Sequence, residues 1–252
     1  MLGLSLSIPA ISTRGRRAGP PPHPLQAFIN SGTIAIYFDT SGATFDGQGR
    51  VTGLANRGAG GAAFNATVAG NPIPLSGNTL QMSGSVGNPI LATPASIDGV
   101  RLMWAASLGD AVSSMRFMGS ANDEIRLGTI QAGTPNTAFL QFWSNRTGAG
   151  VTTNPIPRIP LPATGLHLLE AEVSALAQTQ TAWLDGTQVA TGTGYSHSAF
   201  YVDRLGQGTG YTLQFVGQLG GMTGVITGRP DTAAAIAAVR AHWASRFGMV
   251  VS

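Results

Sequence analysis

Between Ile29 and Thr227 the sequence never sustains an apolar pattern at helical spacing; it breaks every few residues at Gly, Pro, Asn or Asp. The apolar pieces are short: "GTIAIYFD", "GVRLMWAAS", "SMRFMG", "EIRLGTI", "AFLQFWSN", "HLLEAEVSAL", "TAWLDGTQVA" and "YTLQFVGQLGGMTGVIT". "RLMWA", "FLQFW" and "TLQFV" read as period-two strands with one face packed. Without helices between the strands there are no parallel βαβ units, and an antiparallel two-sheet sandwich is expected. The 35 Gly and 15 Pro, with only 10% charged residues, agree with many short strands and tight turns. At 252 residues such a sandwich can be a single core. "TPNTAF" and "TTNPIPRIPLPATG" read as loops. In "WLDGTQVA" the Asp185-Gly186 pair predicts a type I′ hairpin turn.

One helix is expected, over 231–247. Asp231 or Thr232 can cap it, Ile236, Val239, Trp243 and Phe247 form one apolar stripe, and Gly248 stands where helices turn out. Its Arg240 and Arg246 are expected to face solvent or pair locally. Residues 1–28 read as an arm: an apolar start, a basic cluster at Arg14, Arg16 and Arg17, then "GPPPHP", which favours extended polyproline geometry. The body then runs 29–252.

All 14 basic residues are Arg, and the net charge is +3. Nucleic-acid binders gather such charge on one face or helix; here the only cluster in sequence is Arg14–Arg17, so nucleic acid is not an expected partner. The absence of Cys removes disulfides, thiolate metal sites and thiol nucleophiles. The apolar start has no basic residue before it, the wrong order for a secretory signal. No apolar run approaches the roughly 20 residues of a membrane span, so no membrane partner is expected.

Four stretches, in order, carry a resemblance: "YFDTSGATFDGQGRVTGLANRGAGGAAFNAT", "NTLQMSGSVGNPI", "GLHLLEAEVSALAQTQTAWLDGTQVA" and "LGQGTGYTLQFVGQLGGMTGVITGRPDTAAAIAAVRAHWASRFG". Together they resemble the laminin-G-like domains of the concanavalin A-like lectin/glucanase superfamily, over Ile34 to Gly248. Leu54 and Asn56 stand where those domains often have Trp and Asp. The resemblance implies an all-β, antiparallel two-sheet jelly roll with one C-terminal helix and an extended N-terminal arm. "MLGLSLSIPAI" and the basic, Pro-rich stretch after it are similar to the starts of small virion proteins of phages and gene transfer agents.

Glucanases of the superfamily place two or three acids on one strand face, a nucleophile and a general acid about 5 Å apart. "EAEVSA" offers Glu170 and Glu172 and lacks the third, so polarity on an outer face is the better account. Calcium takes six to eight oxygens; Asp39, Asp46, Asp123 and Glu124 are the candidates, although turn roles suit Asp46 and Asp185 better. No cofactor is expected beyond that ion. Sugar binding calls for an exposed aromatic with planar amides or Arg beside it on a rigid scaffold. "FWSNRTG" offers Trp143, Asn145 and Arg146, and "GYSHSAFY" offers Tyr195, His197 and Tyr201. Phe142 and Trp143 alternate faces, and burial tendency favours Trp143 in the core. Trp104, Trp183 and Trp243 read as core. The histidines at 23, 167, 197 and 242 form no triad pattern.

The leading expectation is a non-enzymatic, adhesive virion protein of a phage or phage-like particle. Leu2, Leu4, Leu6, Ile8, Arg14, Arg16 and Arg17 would dock it to other virion structural proteins in a symmetric multi-copy assembly. The sandwich loops would meet host surface glycan. The alternatives are a non-viral carbohydrate-binding module or a glycoside hydrolase.

Overall fold

The fold is described from a computed structural model, for residues 23–83, 86–107, 115–120, 123–128, 137–144, 158–160, 165–174, 176–194, 200–206 and 215–252. A short helix α1 (Gln26–Asn30) leads into β1 (Ile34–Asp39), β2 (Ala43–Phe45), β3 (Val51–Leu54), β4 (Ala66–Ala69), β5 (Leu75–Ser76) and β6 (Thr79–Met82). Then come β7 (Asn88–Ser96), β8 (Val100–Ser107), β9 (Met115–Gly119), β10 (Asp123–Gly128), β11 (Thr137–Ser144) and β12 (Arg158–Pro160). The chain closes with β13 (Leu166–Ser174), β14 (Thr179–Leu184), β15 (Thr187–Thr193), β16 (Tyr201–Leu205), β17 (Gly217–Ile226) and α2 (Thr232–Phe247). The strands form two antiparallel sheets. Sheet A runs β15-β14-β13-β8-β17-β6-β5, with β1 also on β17, and sheet B runs β12-β11-β10-β9-β16-β7-β4-β3-β2. The expected two-sheet sandwich with a C-terminal helix is the fold found. Within it, the "RIP" of the Pro-rich segment read as a loop is a strand, β12, pairing with β11.

Two cores result, one on each face of sheet A. Between the sheets lie Ile36, Phe38, Leu102, Trp104, Phe117, Ile125, Val202, Phe215 and Met222. Between sheet A and the helices lie Leu25, Ile34, Tyr37, Met103, Ala105, Leu168, Val225, Ile236, Val239 and Trp243. Strand β8 therefore departs from one-sided alternation. Residues 102 to 106 are all buried, because Leu102, Trp104 and Ala106 face sheet B while Met103 and Ala105 face the helix layer. A short continuous apolar run of this kind is the mark of a strand covered on both sides.

The helix seats where β17 has no side chains. A Cβ at Gly221 would overlap the Trp243 ring and the Phe38 carbonyl oxygen, and one at Gly220 would overlap the Phe247 ring. Trp243 thus lies on bare backbone, and its indole N–H donates to Thr223 Oγ1 at 3.2 Å. The left-handed Gly248 (φ 66°) ends the helix as expected. Asp231 does not cap its start: its carboxylate instead accepts from Ser31 Oγ at 2.8 Å and Thr33 Oγ1 at 2.6 Å, tying the helix to the start of β1.

The outer edge of β1 is closed by the 56–60 loop, so it presents no free ladder for another chain. Arg57, Ala59 and Gly60 donate backbone N–H groups to Tyr37, Ile34 and Ala35. Asn56, buried, accepts from the N–H groups of Tyr37 and Gly58 and donates to the carbonyls of Ala35 and Gly61.

Gly221→Ala should lower the unfolding free energy by about 1–3 kcal/mol, the usual cost of overpacking. Gly47→Ala, at a position with nothing within 4 Å, should stay within about 0.5 kcal/mol of wild type. Urea unfolding of the two variants checks the seating of the helix.

Candidate functional site

The acids of β13 lie on the helix-covered face of sheet A. Glu170 is fully buried, not outer-face polarity as the sequence suggested. Arg240 of α2 reaches it from above, Nε to Oε1 at 2.7 Å and Nη2 to Oε2 at 3.2 Å. Arg101 Nη1 lies 3.5 Å from Oε2, while Arg101 Nε donates to Glu172 at 3.1 Å. The Arg101 guanidinium also stacks on Trp183, 3.6 Å from the ring centroid, so Trp183 is half-buried under an arginine and not in either core. Arg240 therefore neither faces solvent nor pairs locally; it joins α2 to β13. Glu170 is closed over by the helix, and both acids are engaged by arginines.

A second polar cluster lies at the other end of the same face. The Tyr37 hydroxyl donates to Asp39 Oδ2 at 2.9 Å and meets His23 Nε2 at 3.1 Å and His242 Nε2 at 3.0 Å. The backbone N–H of Leu25 donates to His23 Nδ1 at 3.3 Å, which sets that ring as the neutral Nε2–H tautomer and makes it a donor to Tyr37. Asp39 also accepts from Ser41 N–H and Oγ, and Arg57 and Arg246 each stand 3.3 Å from it. Burial pushes the Asp39 carboxyl up, but the Ser41 and Tyr37 hydrogen bonds and the two arginines outweigh it and hold the group below its usual range. Burial, with Asp39 beside it, raises Tyr37 far above an ordinary phenol. Burial lowers His242 to about 4, with His23 and Arg246 adding to the effect. His23 is lowered too, by burial and then by Arg57. The cluster fixes residues 23–25 and α2 to β1.

Asp185 sits in the expected turn, with φ 49° and φ 84° at Asp185 and Gly186. Its carboxylate accepts from Leu168 N–H at 2.9 Å and lies 2.7 Å from His167 Nδ1, bracing the hairpin on β13. Of the calcium candidates, Asp39 is taken as above and Asp46 caps its own turn through Gln48 N–H, Arg50 N–H and the Arg50 guanidinium. Asp123, buried, accepts from Tyr201 N–H at 2.9 Å, and Glu124 is the next residue of the same strand. Among the described residues no group of three His, Asp or Glu converges as a metal site.

The outer face of sheet B differs. Both helices lie on sheet A, and Thr44, Thr67, Ala69, Ala92, Thr93, Pro94, Ser96 and Tyr201 are exposed. Directly paired residues share a face, so the register can be followed strand to strand. One row runs Thr44, Gly53, Thr67, Ile90, Arg204, Gly119, Glu124 and Trp143. The adjacent inward row holds Leu205, Met118 and Ile125, all buried, with Phe142 as the partner of Ile125. The register sets the backbone of position 142 beside Ile125 and that of position 143 beside Glu124; the side chains of Phe142 and Trp143, and with them the expectation that Trp143 belongs to the core, lie outside the described residues. Further along, the backbone register pairs Gln141 with Arg126 and Arg126 with Arg116, then Arg158 with Phe139 and Phe139 with Gly128. Tyr201, 38% exposed, pairs with Ser96 on the same face. At the β2–β4 end, Thr44, Thr52, Thr67 and Asn65 line an open groove of about 430 Å³.

Of the six sugar-binding candidates Tyr201 is exposed on this face; the backbone of position 143 lies three strand spacings away, and its side chain lies outside the described residues. Asn145, Arg146, Tyr195 and His197 lie outside the described residues, as do the docking candidates Leu2, Leu4, Leu6, Ile8, Arg14, Arg16 and Arg17. Sequence reasoning missed Arg204, whose signal is a lone arginine inside a short strand, "DRL".

No family model and no curated protein matches the sequence. Solved structures do match. The binding domain of botulinum neurotoxin DC in complex with SialylT aligns over 84% of this chain and 52% of that one, with TM-score 0.52 and 6% identity. The structure described as HCR/D-Sa-GBL1/C aligns over 83% and 52%, with TM-score 0.52 and 8% identity. Domain 4 of AbnA, a GH43 extracellular arabinanase from Geobacillus stearothermophilus, in complex with arabinotriose, aligns over 77% and 93%, with TM-score 0.48 and 14% identity. The chain spans about half the length of the first two. The likeness is one of fold: a lectin-like β-sandwich.

The Tyr37 cluster predicts a pH dependence. Unfolded histidines titrate near 6.5, whereas folded His242 stays neutral to about 4. The folded state therefore binds fewer protons over that window, and stability present above pH 6.5 is lost as the pH falls toward 4. His242→Gln, which keeps a donor for Tyr37, should flatten this loss by up to about 3 kcal/mol, measured by urea unfolding from pH 7 to 4.5. An unchanged slope would contradict the assignment.

Proposed function

We propose that the chain is a non-catalytic glycan-binding module whose ligand surface is the outer face of sheet B. The observation that carries this reading is the asymmetry of the sandwich. The centre of sheet A is buried on both faces, while sheet B turns outward exposed Thr44, Thr67, Thr93, Ser96 and Tyr201, with Asn65 and Arg204 half-buried beside them. Flat aromatic faces and planar hydrogen-bonding groups on a rigid sheet are what a sugar ring requires. The fold supports it as well, since a domain of the same architecture was solved in complex with SialylT.

A finer reading makes this module the adhesive part of a virion protein, with residues 1–22 as its attachment. Its support is the apolar and basic start of the sequence, together with the place where that segment joins the body. His23 is held by Tyr37 and His242 on the helix side of sheet A, so a tether there leaves the sheet B face pointing away from the particle. Particles made without residues 1–22 should lose the protein; normal incorporation would sink the attachment role.

A glycan array probed with the full chain tests the main reading. Trp143→Ala and Tyr201→Ala should each weaken binding of the best ligand about tenfold, or roughly 1.4 kcal/mol, without moving the urea midpoint by more than a surface change does. Silence across the array, or binding untouched by both changes, would remove it.

A further inference from the structure

We propose, building on the glycan reading, that the β2–β4 end of the sheet B face is a subsite for an uncharged sugar of the ligand, seated on Gly53 between Thr44 and Thr67 and held by the Asn65 amide. The three positions are cross-strand partners in one row, Thr44 on Gly53 and Gly53 on Thr67. Both threonines are exposed, and with Thr52 and Asn65 they line the open groove of about 430 Å³. Small-ligand sites commonly enclose about 300–1,000 Å³.

The hydrogen-bonding groups of the groove are oriented in advance. Asn65 Oδ1 accepts the backbone N–H of Asn56 at 2.8 Å. A backbone N–H can be met only by the amide oxygen, so the Asn65 side chain is held in one orientation. Its amide nitrogen carries two donors and has no partner among the described residues. The Thr67 hydroxyl has none among them either. The hydroxyls of Thr44 and Thr52 lie 3.2 Å apart and bond each other, and each keeps further capacity because a hydroxyl combines a donor with two acceptor sites. Between the threonines Gly53 presents bare backbone: a Cβ there would stand 2.8 Å from Thr44 Oγ1 and 3.1 Å from the Ala66 carbonyl oxygen. The row thus has a floor without a side chain, flanked by hydroxyls, on which a sugar ring can lie.

Charge decides the class of sugar. Among the described residues, none that line the groove is titratable. The charged residues next to them in sequence are already paired, Asp46 with Arg50 at 2.7 Å and Arg57 with Asp39 at 3.3 Å. A carboxylate or phosphate in the groove therefore meets no guanidinium to replace its water. An apolar ligand would strip water from the amide and the hydroxyls and return no hydrogen bond, which is costly. A sugar hydroxyl donates and accepts at once, and so serves the amide and the threonines alike. From Gly53 to Tyr201 the face crosses three strand spacings, β3 to β4 to β7 to β16, roughly 14 Å, so a ligand that reaches both is an oligosaccharide.

A glycan array probed with the full chain, followed by calorimetry on its strongest oligosaccharide, tests this. Asn65→Asp keeps the acceptor for the Asn56 N–H and removes both donors, and Thr67→Val keeps the shape and removes the hydroxyl. Each should weaken binding on the order of tenfold with the urea midpoint unchanged, and Thr67→Ser, which retains the hydroxyl, should bind as wild type does. An oligogalacturonate of the same length, charged on every sugar, should bind about tenfold or more weaker than the strongest oligosaccharide. Binding untouched by Asn65→Asp and Thr67→Val would overturn the subsite, and if Tyr201→Ala still weakens it the glycan module stands. Oligogalacturonate binding as tightly would overturn the uncharged sugar in the same way. Silence across the array would remove module and subsite together.

Discussion

The contact between Trp243 and the bare backbone of β17 at Gly221 decides the character of both sheets. It brings α2 close enough to bury Met103, Ala105, Leu168 and Val225, so sheet A has no exposed centre and β8 reads as an unbroken apolar run from Leu102 to Ala106. A sandwich with one sheet covered twice has one broad face left for other molecules. The division of labour follows: sheet A holds the molecule together, and sheet B is free to present polar groups.

The charged groups on the helix side are buried and mutually satisfied: Arg240 with Glu170, and Arg57 and Arg246 with Asp39. Breaking such a pair leaves a charge without its partner in a poorly solvated place, which costs several kcal/mol, whereas the intact pair is worth little over apolar packing. Their service is positional, fixing the helix to β13 and residues 23–25 to β1.

The parts of the fold legible in the sequence were those set by local chemistry. The turn at Asp185-Gly186, the stripe from Ile236 to Phe247 and the stop at Gly248 each depend on residues within a few positions of one another, and each is found where expected. Glu170 was not legible, because its burial depends on Arg240, 70 residues further on, being laid across β13. The face on which a given strand residue lies was not legible either. Side-chain direction alternates with every residue and flips wherever a strand slips by one, and β9, β16 and β7 all carry register shifts.

The central claim is that the ligand surface is the outer face of sheet B. Amide hydrogen exchange of the full chain, with and without its best glycan, tests it most directly. The account predicts added protection in β9, β10, β11 and β16, with β13, β17 and α2 unchanged. Protection centred on α2 and β13, with β9 to β11 unaltered, would contradict it.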